Sequence, residues 1–298
     1  MKTYVLYNKL AGNGTGEQRA NRLRTLWGGK DLVYRDIEET GDYADFFAGL
    51  LPEDEVVLCG GDGTLNRFIN DTDGLELRND LYYYAVGSGN DFWHDLGLTL
   101  GDEPCRINEY IKDLPVVEVN GRTYRFLNAV GYGIDGYCCE VGDELREKSD
   151  KPINYAGIAV KGLLFHYKPT NAEIMVDRQS FTCKKVWLAP TMNGRFYGGG
   201  MMPTPEQDRL AESGAVSVMV MHGGGKLKTL MILPSIFKGE HVKRMDMVKV
   251  LSGRDITVSF DRPTALQIDD ETIPNVSGYH VRARRPAQST TDGANNAP

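Results

Sequence analysis

The sequence predicts an α/β domain over residues 1–115, a β-rich domain over residues 116–286 and a mobile tail over residues 287–298. Three observations lead there. Over the first hundred residues short β-rich runs alternate with helical patterns, the arrangement of a parallel sheet covered by helices. After Pro115 the runs become closely spaced, and Asn120-Gly121 stands between two of them as a hairpin turn signal. Beyond Pro286 the sequence AQSTTDGANNAP has too few apolar residues to fold alone.

Taken in order, the strands of the first domain are expected at residues 4–7, 32–35, 55–59 and 82–86, with helices at 17–27, 42–50 and 64–70. Each glycine-rich or polar connection follows a strand, and ligands of open α/β sheets bind at those strand ends. In the second domain the runs 116–119 and 123–126 flank the Asn-Gly turn and pair antiparallel. Helical patterns cover 135–147 and 153–167, and alternating strands follow at 172–176, 181–188, 216–221, 248–251 and 256–260. No repeat at a fixed period is visible.

The hydrophobic fraction of 41% and charged fraction of 25% are those of an ordinary globular chain, so a sizeable core can form. A net charge of −7 argues against holding nucleic acid through a general cationic field. The five cysteines form no CxxC pair, which reads as a reduced, cytoplasmic setting. MKTYVLYN reads as a strand rather than a secretion signal, and the most apolar stretch, 153–165, is interrupted by Lys161 and is shorter than the roughly 20 residues that span a bilayer. Any membrane contact is therefore expected to be peripheral and reversible. The five histidines show no metal-ligand spacing and read as surface or satisfied core residues.

Three glycine-rich loops stand where strands of the first domain end: Asn8 to Gly16 with Gly12, Asn13 and Gly14; Gly60-Gly61-Asp62-Gly63-Thr64; and Gly87-Ser88-Gly89-Asn90-Asp91. Glycine lets the backbone approach a phosphate, and unpaired N–H groups at a helix start attract the anion. One such loop is an ordinary turn; three on one sheet edge point to a shared phosphate site. No Gly-Lys-Ser/Thr or good GxGxxG is present, which disfavours a Walker loop and hydride chemistry. Asp62 and Asp91 suit a Mg²⁺ ion, held directly or through water, beside nucleotide phosphates. Their alternative role is to cap the helices they begin.

The run Val57 to Asn66, with GGDGT at its centre, followed by Gly87-Ser88-Gly89-Asn90-Asp91-Phe92, resembles the diacylglycerol kinase catalytic-domain family, which includes bacterial lipid kinases and sphingosine kinases. Phe126 to Gly133, Tyr197 to Met201 and Gln267 to Glu271 extend the resemblance to roughly residues 4–285. It implies a Rossmann-like nucleotide domain joined to a sandwich-like domain, the architecture shared with NAD kinases, with Mg²⁺-ATP and a lipid alcohol meeting in the cleft between them. Diacylglycerol is the leading acceptor. By the same resemblance Thr40 and Asn66 join the loops in the nucleotide site, and Asp269-Asp270-Glu271 supplies the acid–base group. Strand alternation would place Asp269 and Glu271 on one side and leave Asp270 outside the pair. Thr40 also reads as a helix N-cap.

Several residues depart from the family's pattern: Lys9 and Ala85 stand for prolines, Ser88 for threonine, Arg67 for glutamate and Asp270 for glycine. The stretch Leu210 to Ala215 lacks the aspartate with which bacterial members hold a structural Mg²⁺. Two other functions stay open: a soluble small-molecule kinase of the NAD-kinase type, and a non-catalytic nucleotide or lipid sensor.

Overall fold

The computed structural model describes residues 1–148 and 154–284. The expected tail at 287–298 and the start of the helical pattern at Ile153 lie outside the described residues. The first layer is a five-stranded sheet of β1 (Thr3–Tyr7), β2 (Leu32–Asp36), β3 (Glu55–Gly60), β4 (Asp80–Ala85) and the short β5 (Cys105–Arg106). Its order is β2-β1-β3-β4-β5, with β1 to β4 parallel and β5 antiparallel to β4. Val5, Leu6, Val57, Leu58 and Tyr83 are fully buried, because helices cover both faces of such a sheet. The pattern expected as one helix at 17–27 is broken into Gly16–Ala20 and Leu23–Leu26.

The second domain is an antiparallel sheet of ten strands: β6 (Val116–Val119), β7 (Arg122–Arg125), β8 (Ala129–Tyr132), β9 (Thr170–Val176), β10 (Gln179–Val186), β11 (Thr191–Met192), β12 (Val216–Met221), β13 (Val248–Gly253), β14 (Asp255–Ile268) and β15 (Glu271–Arg282). Asn120 and Gly121 both adopt positive φ between β6 and β7, the two-residue turn that the sequence signalled. β14 is the spine. Its first half pairs with β9, its last residues pair with β8, and register shifts between Ser259 and Leu266 separate the two. The sheet thereby folds around one core that includes Phe126, Tyr132, Ile174, Val258 and Val281.

β14 runs far beyond the expected 256–260, and neither β15 nor the Lys226–Ile232 helix was expected from the sequence. A second apolar core unites the helices Ile134–Lys148 and Lys226–Ile232 with the wide turn Gly162–His166. No helix among the described residues is long and apolar enough to cross a membrane.

The glycine-rich loops end β1, β3 and β4, and they touch one another. A Cβ on Gly87 would meet Gly61 Cα at 2.5 Å, so the second and third loops are in backbone contact. Gly87→Ala is accordingly expected to lower stability by about 1–3 kcal/mol, read as a lower urea midpoint at unchanged slope.

Candidate active site

The first loop leaves β1 through Asn8, whose N–H donates to the Cys59 carbonyl at 3.0 Å and whose side-chain amide donates to Thr64 Oγ1 at 2.9 Å. The chain then turns left-handed at Gly12 (φ 57°) and Asn13 (φ 59°). Gly12 is required twice over, since a Cβ there would also lie 2.5 Å from the Val86 carbonyl oxygen. Arg19, which the sequence reading passed over, donates to the carbonyls of Val86 and Gly87 at 2.9 and 3.2 Å and ties the first loop to the third. Lys9 reaches Asp36 at 3.0 Å and Glu38 at 2.9 Å, fastening the same loop to the end of β2. Asn8, Gly12, Gly60, Gly61, Thr64 and Gly87 are thus gathered at one place, while Asn13, Gly14 and Ser88 are exposed on its rim.

Thr40 does not cap a helix. Its hydroxyl donates back to the Asp36 carbonyl, and Asp42 takes the cap by accepting the Ala44 N–H at 2.7 Å. Nor do Asp62 and Asp91 cap the helices they begin. Asp62 accepts the N–H groups of Asp91 at 2.7 Å and Phe92 at 3.1 Å, so the carboxylate of one loop organises the helix start of the next. Asn128 of the second domain adds a third donor at 3.2 Å. Asp91 in turn accepts the N–H groups of Gly199 and Gly200 at 2.8 and 2.7 Å, in a turn where residues 198–200 all have positive φ. Asn90, left-handed at φ 56°, donates to the Gly87 carbonyl.

The acidic run is a turn rather than a strand. Ile268 pairs with Glu271, and Asp269 (φ 44°) and Asp270 (φ 75°) form the two-residue connection between β14 and β15. The alternation that would put Asp269 and Glu271 on one side therefore does not apply. Asp269 is buried and accepts the N–H groups of Leu127, Asn128 and Ala129 at 2.5, 2.8 and 2.9 Å, together with the Asn66 amide at 2.8 Å. Asn66 faces this joint rather than the loops. Glu271 is exposed and pairs with Arg67 across the domains at 2.9 Å, beside the helix start at Gly63. The reversed charge at Arg67 is matched by that carboxylate.

Burial raises the Asp62 and Asp91 carboxyls above their usual range, and the charges of Asp62 and Asp270 raise Asp91 further; N–H donors oppose both rises, and Asn128 and Arg209 oppose that of Asp62. Asp270 has surface exposed to solvent yet is crowded by protein, and that crowding with the charges of Asp62 and Asp269 pushes it up to about 7. Rises caused by neighbouring carboxylates, as at Asp91 and Asp270, mark negative charge that a cation would relieve. Among the described residues no three acidic, histidine or cysteine side chains form a ready metal cage. An ion at this place would therefore have at most one or two carboxylates and would complete its shell with waters or phosphate oxygens. Near Ser213 the fit fails: the Ser213 carbonyl accepts from Arg254 and the Ala211 carbonyl from Arg284, so guanidinium groups occupy that loop.

Other functional candidates were missed because nothing local marks them. Asp95 is buried between Arg195 and Arg209, with Nε atoms at 2.7 and 2.6 Å. Arg209 also donates to the Leu127 carbonyl and Asn128 Oδ1 and lies over the Phe92 ring. Asp135 is buried beside the Tyr197 hydroxyl, and burial pushes it up to about 7. Trp93, which follows the third loop, is fully buried core.

Two outcomes follow from these carboxylates. Arg209→Ala leaves buried Asp95 with Arg195 as its one guanidinium partner and is expected to cost about 3–5 kcal/mol in denaturant unfolding. Asp135 has a folded pKa of about 7 against roughly 3.9 unfolded, so the native state binds the extra proton between those values and stability is lost as pH rises through about 7. Asp135→Asn lacks that loss. It is expected to exceed the native protein in stability by roughly 1–4 kcal/mol at pH 8, with the gap closing toward pH 4.

Residues 2–116 match the diacylglycerol kinase catalytic domain, and residues 128–286 match the YegS C-terminal NAD kinase beta sandwich-like domain. A diacylglycerol kinase of Mycobacterium tuberculosis is 24% identical over 268 residues, covering 86% of this chain and 84% of its own. A diacylglycerol kinase of Bacillus subtilis is 24% identical over 244 residues, covering 80% and 78%. The crystal structure of a diacylglycerol kinase from Bacillus anthracis shares the fold with a TM-score of 0.59 at 19% identity, over 96% of this chain and 94% of that one. With both domains matched in sequence and the fold shared across the joint, the chain belongs to the diacylglycerol kinase catalytic-domain family of lipid kinases.

Proposed function

We propose that this kinase transfers the γ-phosphoryl group of Mg²⁺-ATP to the hydroxyl of a membrane lipid, with diacylglycerol the leading acceptor. The observation that carries the reading is the contact of three glycine-rich loops at one sheet edge, with an acidic turn of the other domain facing Asp62 across the joint. Loop N–H groups around Gly12, Gly61 and Gly87 bind phosphate oxygens, and Asp62 keeps the second and third loops in register. A Mg²⁺ ion held by water and phosphates near Asp62, Asp91 and Asp270 supplies charge neutralisation when bound. Asp269 is a positioning residue. Its carboxylate already serves four donors, whereas Glu271 is held only by an exposed ion pair, worth about 1 kcal/mol or less, and is free to take the acceptor's proton. The protein works at the cytoplasmic membrane surface and binds it reversibly.

One observation favours a second reading of the proton acceptor. The Asp270 side chain has no hydrogen-bond partner among the described residues, and a pKa of about 7 suits a general base. The two are separated by their pH–rate profiles. If Glu271 acts, Glu271→Gln loses about 10² to 10⁴ in turnover while binding Mg²⁺-ATP normally. If Asp270 acts, Asp270→Asn suffers that loss and the limb near pH 7 disappears.

Asp62→Asn is expected to lower turnover by about 10² or more, roughly 2.7 kcal/mol, in a variant that remains folded. Thin-layer separation of labelled lipid extracts, run beside NAD as acceptor, tests the substrate class. Phosphate on NAD alone reassigns the enzyme to soluble substrates. ATP binding without turnover of either would make it a sensor.

A further inference from the structure

The second domain carries an outward apolar face that its own core does not use. Leu227 and Met231 lie one turn apart on the Lys226–Ile232 helix, 71% and 74% exposed, while Thr229 and Ile232 of the same helix are buried. Phe237, half exposed, follows in the Leu233–Lys238 turn of helix. Phe165 is 73% exposed on the neighbouring Gly162–His166 turn, and Lys226 Nζ donates to the Leu164 carbonyl at 2.6 Å, which holds the two elements together. Four large apolar side chains displayed on adjoining elements exceed the scattered single residues of an ordinary surface.

Charge identifies the occupant. The chain carries −7 overall, yet residues 226–246 hold five basic and two acidic side chains. One of those acids, Asp246, is already paired with Lys228 and Arg244. An apolar helix face edged by lysines suits a bilayer containing anionic lipid: the apolar groups enter the headgroup boundary, and lysine stems extend along it with their ammonium groups at phosphate level.

Position agrees with charge. The Met202 N–H donates to the Ile236 carbonyl at 3.1 Å, and Phe237 lies beside Gly200, whose own N–H grips Asp91. The patch therefore runs up to the edge of the loops proposed to bind phosphate.

We propose that the Lys226–Ile232 helix, with Phe237 and Phe165, is the surface by which the protein docks onto an anionic lipid bilayer, presenting its cleft to the membrane. The docking face stands on its own observations; its use in substrate delivery rests on the lipid-kinase reading. The test compares cosedimentation with vesicles of phosphatidylcholine containing about a third phosphatidylglycerol and with phosphatidylcholine alone. It sets the native protein against Leu227→Glu/Met231→Glu and Lys226→Ala/Lys238→Ala, and it also follows turnover of a water-soluble short-chain diacylglycerol.

The native protein is expected to bind anionic vesicles and to lose at least tenfold in affinity with the glutamate pair. The lysine variant loses about thirtyfold on anionic vesicles and little on neutral ones. Turnover of the soluble substrate stays native in both variants. Vesicle binding that neither variant weakens overturns the proposal, as does a native dimer that the glutamate pair dissociates, because the face would then belong to a second copy. Native binding that the variants abolish, in a protein that phosphorylates no lipid, upholds the docking surface and overturns the kinase reading instead.

Discussion

Four buried carboxylates at the domain joint decide the rest of the architecture. Removing an ionised carboxylate from water is costly unless donors replace the lost hydration, and each of these four obtains its donors from a distant part of the chain. Asp62 takes N–H groups from the next loop and an amide from the second domain; Asp91 takes two glycine N–H groups; Asp95 takes two guanidinium groups; Asp269 takes three N–H groups and the Asn66 amide. Any sliding of one domain over the other would strand several charges at once. The loops are therefore held to one another within the first domain and fastened to the second by the same carboxylates.

This explains why the site combines rigid parts with free ones. Asp269 and Asp62 are committed to hydrogen bonds, while Glu271, Arg67 and Asp270 reach solvent with weak partners or none. Fixed groups hold geometry, and uncommitted groups remain free to exchange a proton or a counter-ion. The departure at Arg67 sits among the free ones, where its pair with Glu271 can open at little cost.

The loops and the parallel strands were legible in the sequence because their signals are local: glycines at strand ends, alternation, and an Asn-Gly turn. The Asp269-Asp270 turn was read as strand because it carries two aspartates where a tight turn of this type ordinarily has glycine second. Asn66 and Asp269 meet across 203 residues of sequence, and no local pattern encodes that contact. Arg209 looked like any surface arginine until folding brought Asp95, Leu127 and Phe92 around it. The Lys226–Ile232 helix escaped notice because its apolar residues point both ways, and a two-sided pattern has no single buried stripe.

The clasp of Gly199 and Gly200 on Asp91 also bears on timing. Enzymes that bring two reactant sites together by hinge rotation lose the entropy of that approach at every turnover. Here the domains are already latched when the chain has folded, so that loss is incurred once in the lifetime of the molecule. Slow steps should then lie in the travel of small elements rather than in swings of whole domains, and partial unlatching by denaturant would silence the molecule before either core melts.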